Sequence, residues 1–346
     1  MTKNIIIGAG FSACIAKIFV KKDVKIIGSY GHAGIKNLIR RKKIESNKLF
    51  SNRSYSYGSL NFQLKDGTFQ DRLIFGGNSR IWGGKINIGK ISKKILNKLQ
   101  DKNIYFMKLS FDKTGTISNQ KNIVQMQNKK EEIITTSDFP FKIQNGYLLK
   151  FDVIKKKIFL TLKNFNNLQK KITVNKLYLC VGNVQLLDIL YRSNLIKEND
   201  IIEFSEFDSD FKLKSIYSKF NPNITIQRFL FSRALGHFFG VQYFSKFLKL
   251  LSFIPLCIDQ NFYKKKTNYK LQIKKGFIVE KHNKNNKINI GKSTHFCNLR
   301  INKVNINKFL KKINPNIKGF GMAFINQKTP GPISNDIILD IYKKLN

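Results

Sequence analysis

The sequence predicts an α/β protein: a parallel sheet continued by an antiparallel β-meander, with a second, α+β part intertwined in it. Three observations predict this. A β-branched run over residues 4–7 is followed by a glycine turn and by apolar residues at helical spacing, and residues 24–27 then supply another short strand. Three segments, 147–153, 157–162 and 171–179, follow one another at hairpin distance. The last of them runs into a second glycine turn, Leu177-Tyr-Leu-Cys-Val-Gly-Asn183, with Ile189, Leu190 and Ser193 in a helix beyond.

Composition bounds what such a chain does. Its 346 residues, 42% of them hydrophobic, suffice for a sizeable core. With 63 Lys+Arg against 21 Asp+Glu the net charge is +42. That sign suits nucleic acid or an anionic membrane. Lysine, asparagine, isoleucine and phenylalanine are abundant together, however, and share A/T-rich codons, so genomic drift explains part of the excess and no nucleic-acid partner is expected. Cys14, Cys180, Cys257 and Cys297 are far apart and form no C-x-x-C pair, so neither a metal site nor a disulfide scaffold is expected, and a reducing, cytoplasmic compartment is. Gly8, Gly10 and Lys17 interrupt any signal-peptide reading of the first twenty residues.

Those residues fit strand, turn and helix better. Gly8-Ala-Gly10-Phe-Ser-Ala13 is a G-x-G-x-x-A fingerprint, followed by Ile15, Ile18 and Phe19 on one helical face. Gly8 permits the tight turn, Gly10 lets a pyrophosphate approach the backbone, and Ala13 keeps helix and strand close. The helix N-terminus then offers its free N–H groups to the phosphates. The acidic residue that usually ends the second strand and holds the ribose hydroxyls is absent. Gly28-Ser29-Tyr30 stands there, which leaves Ser29 or a backbone group for that role.

The stretch Ile74-Phe-Gly-Gly-Asn-Ser-Arg-Ile-Trp-Gly-Gly84 holds two glycine pairs around the single tryptophan. Gly76-Gly77-Asn78-Ser79 followed by Trp82-Gly83-Gly84 resembles the second flavin-binding motif of the glucose-methanol-choline (GMC) oxidoreductase family, in its branch with a tryptophan before the glycine. The resemblance implies that this loop runs beside the pyrophosphate and under the flavin ring. Gly76, Gly77 and Gly83 would make room, Ser79 would bond a phosphate or ribitol oxygen, and Trp82 would pack near the ring. The segment through Gly182 resembles the family's strand and glycine turn that return to the nucleotide domain, and the three preceding segments its β-meander. Thr294-His295-Phe-Cys-Asn-Leu-Arg300 resembles the H-x-x-G-T-x-R region, whose histidine is the catalytic base, with Asn298 and Leu299 in place of Gly-Thr. Residues 319–325 read as the last strand, and Pro330-Gly-Pro332 as the turn into the final helix.

That helix is well specified. Ile333, Ile337, Ile338, Ile341 and Leu345 share one face, Pro332 suits the first turn, and Asp336 and Asp340 precede Lys343 and Lys344 in the order that complements the helix dipole. The resemblance implies that the N-terminus at Pro332 and Ile333 stabilises reduced flavin. A histidine or asparagine normally precedes this proline, and Gly331 replaces it here, with Asn335 and Asn326 as the substitutes left open.

Of the four histidines, His282 reads as solvated loop, His32 lies in the turn after the second strand, His237 sits in an aromatic stretch, and only His295 matches a motif. Residues 224–262 are crowded with Phe and Leu but divided by Arg228, Arg233, Lys246 and Lys249, so no run is long enough to span a bilayer. An inner wall of a substrate domain and an interfacial helix on an anionic membrane, at its inner, cytoplasmic face, are the two readings.

The expected whole is a Rossmann-like FAD-binding domain (parallel sheet with β-meander) with an intertwined α+β substrate domain. Residues 1–110, 170–205 and 290–346 would build the flavin part, 111–169 an insertion with the meander, and 206–289 a cap. The expected function is an FAD-dependent oxidoreductase oxidising a CH–OH group of a sugar, polyol or related alcohol. The alternative is a degenerate, non-catalytic flavoprotein that binds a partner or an anionic membrane surface. Neither the electron acceptor nor the oligomeric state follows from the sequence.

Overall fold

The computed structural model of the chain describes residues 3–20, 23–28, 54–57, 60–63, 85–107, 116–117, 122–129, 134, 138–164, 168–215, 256–280, 297–328 and 332–346. The chain opens with β1 (Lys3–Ile7), α1 (Phe11–Phe19) and β2 (Val24–Gly28), where the β-branched runs and the glycine turn predict them. Two hairpin strands follow, β3 (Ser54–Tyr57) and β4 (Leu60–Gln63), then β5 (Lys85–Asn87), α2 (Lys93–Gln100), β6 (Tyr105–Met107), β7 (Thr116–Ile117), β8 (Ile123–Gln127) and β9 (Ile143–Asn145). The meander is β10 (Tyr147–Ile154), β11 (Lys157–Lys163) and β12 (Gln169–Leu179), and α3 (Asn183–Arg192) leaves it. Two long strands, β13 (Ile201–Ser215) and β14 (Leu256–Lys274), precede β15 (Phe277–Glu280), β16 (Cys297–Ile301), β17 (Val304–Asn305), α4 (Ile306–Ile313), β18 (Ile317–Gly319) and α5 (Ile333–Leu345).

The protein is mixed α/β, and its central sheet contains five parallel strands in the order β9-β2-β1-β12-β18. β12 joins two kinds of pairing. Its first half is antiparallel to β11, from Lys163↔Gln169 to Ile158↔Val174. Its second half is parallel to β1 on one side and β18 on the other, ending at Ile7↔Leu179 and Leu179↔Gly319. One strand thereby welds the meander to the parallel sheet.

Because side chains alternate along a strand, each central strand feeds two cores. Ile5, Ile7, Leu177 and Leu179 face α3, α4 and the inner residues Ile202, Phe204, Leu271 and Ile273 of a second, largely antiparallel sheet. Ile6, Ile26, Tyr178 and Cys180 face α1, α5 and a small sheet, β5-β8-β6. The central sheet is therefore covered on both sides, as parallel sheets require. The second sheet runs β17-β16-β13-β14-β15-β4-β3, with β7 beside β14.

One expectation needs correction. Residues 319–325 do not form the last strand. The strand is β18, which ends at Gly319, a position kept as glycine because the Phe324 ring lies where a β-carbon would be. Gly321, at φ +113, then turns the chain into a short 3₁₀ helix, Met322–Phe324. In the Phe-rich stretch 224–262, residues from Leu256 onward are extended in β14; the rest of that stretch lies outside the described residues. Among the described residues no helix is long and apolar enough to cross a membrane.

Candidate cofactor-binding site

The site is built at the carboxyl ends of β1 and β12. The Gly8 N–H donates to the Ile27 carbonyl at 2.8 Å, and the Cys180 N–H donates to the Ile7 carbonyl at 2.8 Å, so three neighbouring strands end in one bonded row. Gly8 has φ +128, and a β-carbon there would overlap the Cys180 carbonyl oxygen, so only glycine fits. From β1 the sheet continues one way through β2 and β9, and the chain then returns to the other side at β12. Strand order reverses between β1 and β12, and such a crevice is where open α/β sheets receive ligands.

Each of these strands turns into a helix through a glycine. Gly10 is the N-cap of α1, at φ −96 and ψ −178, and Gly182 is the N-cap of α3; neither helix has a side-chain cap or an acidic residue in its first turn. The first N–H groups of a helix carry partial positive charge and need acceptors. Two such N-termini on adjacent parallel strands suit an anion. Ala13 is fully buried against the sheet, the close packing its small size allows. The nearby thiols take no part, since burial pushes both Cys14 and Cys180 well above the ordinary thiol range and keeps them neutral.

The last helix contacts β5, which begins one residue after Gly84. β5 pairs with β8 along one edge. Its other edge is taken by side chains of the first turn of α5. The Ser334 hydroxyl donates to the Lys85 carbonyl. The Asn335 amide donates to the Asn87 carbonyl at 2.7 Å and its oxygen accepts from the Asn87 N–H at 2.8 Å. Alternate residues of a strand present their backbone groups to the same edge, so two side chains here stand in for a neighbouring strand.

Farther along, Asp340 and Lys344 pair at 2.7 Å, and Lys344 also donates to Asn307 and to the Gly319 carbonyl, tying α5 to α4 and β18. Phe19 and Tyr342 meet edge to face at 5.3 Å, which fixes α5 along α1. Asp336 is pushed up to about 6, by burial first and by Asp340 next, against the pull of Lys90 and Lys266.

Of the residues singled out in the sequence, Gly8, Gly10 and Ala13 share one turn, Gly182 opens the adjacent one, and Pro332 and Ile333 begin α5. Ser29, Gly76, Gly77, Ser79, Trp82, Gly83, Gly331 and His295 lie outside the described residues, as do His32, His237 and His282. Asn335 is spent on Asn87, and the exposed Asn326 accepts from Lys266 at 3.2 Å. Asn298 has φ +53, a conformation that glycine and asparagine tolerate best, which accounts for asparagine at the motif's glycine. Counted strictly, the motif's arginine falls on buried Ile301, while Arg300 is exposed.

Sequence reasoning missed two contacts here. The Ser334–Asn335 grip on β5 leaves no local signal. Gly321 approaches Ser12 so closely that its β-carbon would lie 3.0 Å from the hydroxyl, and its only trace is a glycine in an apolar run.

No protein-family model matches the chain, and no curated protein matches it. Among solved structures it is similar to a flavoprotein/dehydrogenase from Cytophaga hutchinsonii, with 8% identity over 80% of this chain and 70% of that one and a TM-score of 0.28. It is also similar to S-allyl-L-cysteine S-oxygenase from Allium sativum, with 10% identity over 52% and 36% and a TM-score of 0.23. A third is L-amino acid deaminase from Proteus myxofaciens, with 10% identity over 60% and 52% and a TM-score of 0.22. TM-scores at this level leave the functional argument to the chain's own residues.

Proposed function

We propose that the chain is a Rossmann-like FAD-dependent oxidoreductase that oxidises a CH–OH group of a sugar, polyol or related alcohol. The observation that carries the proposal is the pair of glycine turns, at Gly8–Gly10 and Gly182, that open two helices without side-chain caps at the reversal point of the parallel sheet. FAD, when bound, supplies the hydride acceptor. Gly10 leaves room for the pyrophosphate, and the N–H groups of α1 and α3 hold it. Ser29 takes the ribose. Gly76, Gly77, Ser79, Trp82 and Gly83 line the flavin, and the N-terminus of α5 at Pro332 and Ile333 lends it partial positive charge. The imidazole of His295 accepts the hydroxyl proton of the substrate.

The test is the visible spectrum of the purified protein. Flavin absorption near one equivalent is expected, and a colourless protein that takes up no added FAD overturns the reading. A second reading, a flavoprotein without catalysis that binds a partner or an anionic membrane, is favoured by one observation: Gly331 stands where the family pattern has a polar group, and the amide of Asn335 is bonded to both backbone groups of Asn87. Anaerobic addition of sugars, polyols and aliphatic alcohols to the FAD-loaded protein separates the two. Bleaching of the flavin favours the enzyme, and a spectrum unchanged by all of them favours the second reading.

A further inference from the structure

Three two-residue hairpin turns among the described residues hold both central residues at positive φ: Lys155–Lys156 at +47 and +66, Lys275–Gly276 at +49 and +71, and Asn302–Lys303 at +48 and +68. Such turns match the twist of the flanking strands and favour asparagine and glycine, which tolerate left-handed backbone. The second and third turns each contain one of these residues. The first, between β10 and β11, contains neither. Lysine occupies both of its strained positions in a chain rich in asparagine, and strain of this kind points to side chains with a use of their own.

The surroundings of the turn indicate that use. The Asn314 amide, 3% exposed, donates to the Lys156 carbonyl at 3.0 Å, and the Asn314 N–H donates to the Leu310 carbonyl, so the tip rests against the C-terminus of α4. Lys155, Lys156 and Lys157 are exposed there beside Lys311 and Lys312 of the last helical turn. Residues 153–187 and 281–335 contain no aspartate or glutamate, and no carboxylate among the described residues pairs with any of the five lysines. Ile154, the strand partner of Lys157, is 57% exposed in their midst. Lysines at a helix C-terminus complement its dipole, which accounts for Lys311 and Lys312. It does not account for Lys155 and Lys156.

We propose that this tip and the end of α4 form a docking surface for an anionic lipid bilayer, with the five lysines on the headgroups and Ile154 at the boundary with the acyl chains. Charge complementarity selects an anionic partner. Ile154 selects lipid over nucleic acid, because an aliphatic side chain enters a bilayer surface whereas unpaired bases stack on aromatic rings. The surface serves an enzyme and a non-catalytic flavoprotein alike. None of its residues belongs to the candidate cofactor site, so the flavin tests and the vesicle test fail independently.

The experiment is a double substitution that improves the turn while removing its charge. Lys155→Asn with Lys156→Gly supplies the residues this turn prefers, so the variant is expected to melt at or above the parent's temperature. Its sedimentation with vesicles of phosphatidylserine and phosphatidylcholine in equal parts is expected to weaken by about twentyfold, at about fivefold for each lysine near an anionic surface. Ile154→Thr, which keeps a β-branched residue on the strand, is expected to weaken it by about tenfold at unchanged charge. The control is Lys93→Gln with Lys94→Gln, which removes the same charge from exposed positions of α2, a helix whose Ile95 and Leu99 pack on the opposite side of the central sheet from α4. It should partition within about twofold of the parent, its charges lying too far from the bilayer to escape screening. Parent-like partitioning of the tip variant, an equal loss in the control, or equally tight binding to vesicles of phosphatidylcholine alone would each overturn the inference. A loss confined to the binding of DNA oligonucleotides would overturn it too and assign the surface to nucleic acid.

Discussion

Gly28 and Ala9 touch so closely that a β-carbon on Gly28 would lie 2.5 Å from the Ala9 methyl and 2.9 Å from its backbone nitrogen. The end of β2 is pressed against the glycine turn of β1, and the acid that dinucleotide-binding chains carry near this point has no room at position 28. Gly28→Glu is therefore expected to weaken FAD binding rather than improve it. It should also destabilise the protein by roughly 1–3 kcal/mol, in the range of an overpacked core site. Thermal melting and an FAD titration check both, and a tighter-binding, equally stable variant would show that the turn yields.

Gly10 offers a cleaner probe than Gly8. Its backbone, at φ −96 and ψ −178, is extended and open to any residue, whereas Gly8 at φ +128 is not. Gly10→Val is expected to melt within a few degrees of the parent and yet to take up no FAD, because its side chain would occupy the space of the pyrophosphate. Normal FAD affinity in a folded Gly10→Val protein would mean that no phosphate approaches this turn.

Asp336 makes stability depend on pH in an unusual direction. Its folded value of about 6 lies above the ordinary 3.8, so between those values the folded state binds more protons than the unfolded one. Its contribution thus favours folding only at low pH and is lost as pH rises through about 4 to 6. A displacement of that size is worth about 3 kcal/mol at most, and solvent screening of a half-buried group brings it to roughly 1 kcal/mol. Asp336→Asn is expected to raise the melting temperature above pH 6, with the gain fading to nothing near pH 4. A pH-independent difference in denaturant melts would contradict this.

His295→Ala tests the chemistry assigned to the H-x-x-G-T-x-R resemblance. The variant should keep its flavin spectrum and lose substrate-driven flavin reduction by about a hundredfold or more, the usual scale of general-base catalysis. High pH should restore part of the rate, since hydroxide can take the proton. Stopped-flow reduction at parent-like rates with every alcohol that the parent oxidises would move the base elsewhere.

The parts of the fold legible in the sequence are those with a local cause. Residues 4–7, the G-x-G-x-x-A turn and the Ile15–Ile18–Phe19 face specify β1, its turn and α1 within twenty residues. The isoleucines of residues 333–345 specify α5 in the same way. β13 and β14 went unread although Tyr269, Leu271 and Ile273 alternate, because Lys264, Lys265 and Lys266 interrupt the pattern and the partner strand is far off in sequence. The candidate site divides similarly. Its glycine turns announce themselves, whereas the bond between Asn335 and Asn87 joins residues 248 apart through backbone atoms, which carry no sequence signal.

The packing of α5 on α1 and β5 also sets an order of events during synthesis. At roughly 5–20 residues per second the 248 residues between Asn87 and Asn335 occupy the ribosome for on the order of tens of seconds. Throughout that interval the nascent chain lacks α5, which covers part of the apolar side of α1, around Phe19, and bonds one edge of β5. Exposed strand edges and aromatic faces are what aggregation and holdase chaperones both recognise. The amino-terminal half of this protein is thus built to wait, and truncating the last helix should produce insoluble protein rather than a smaller folded one.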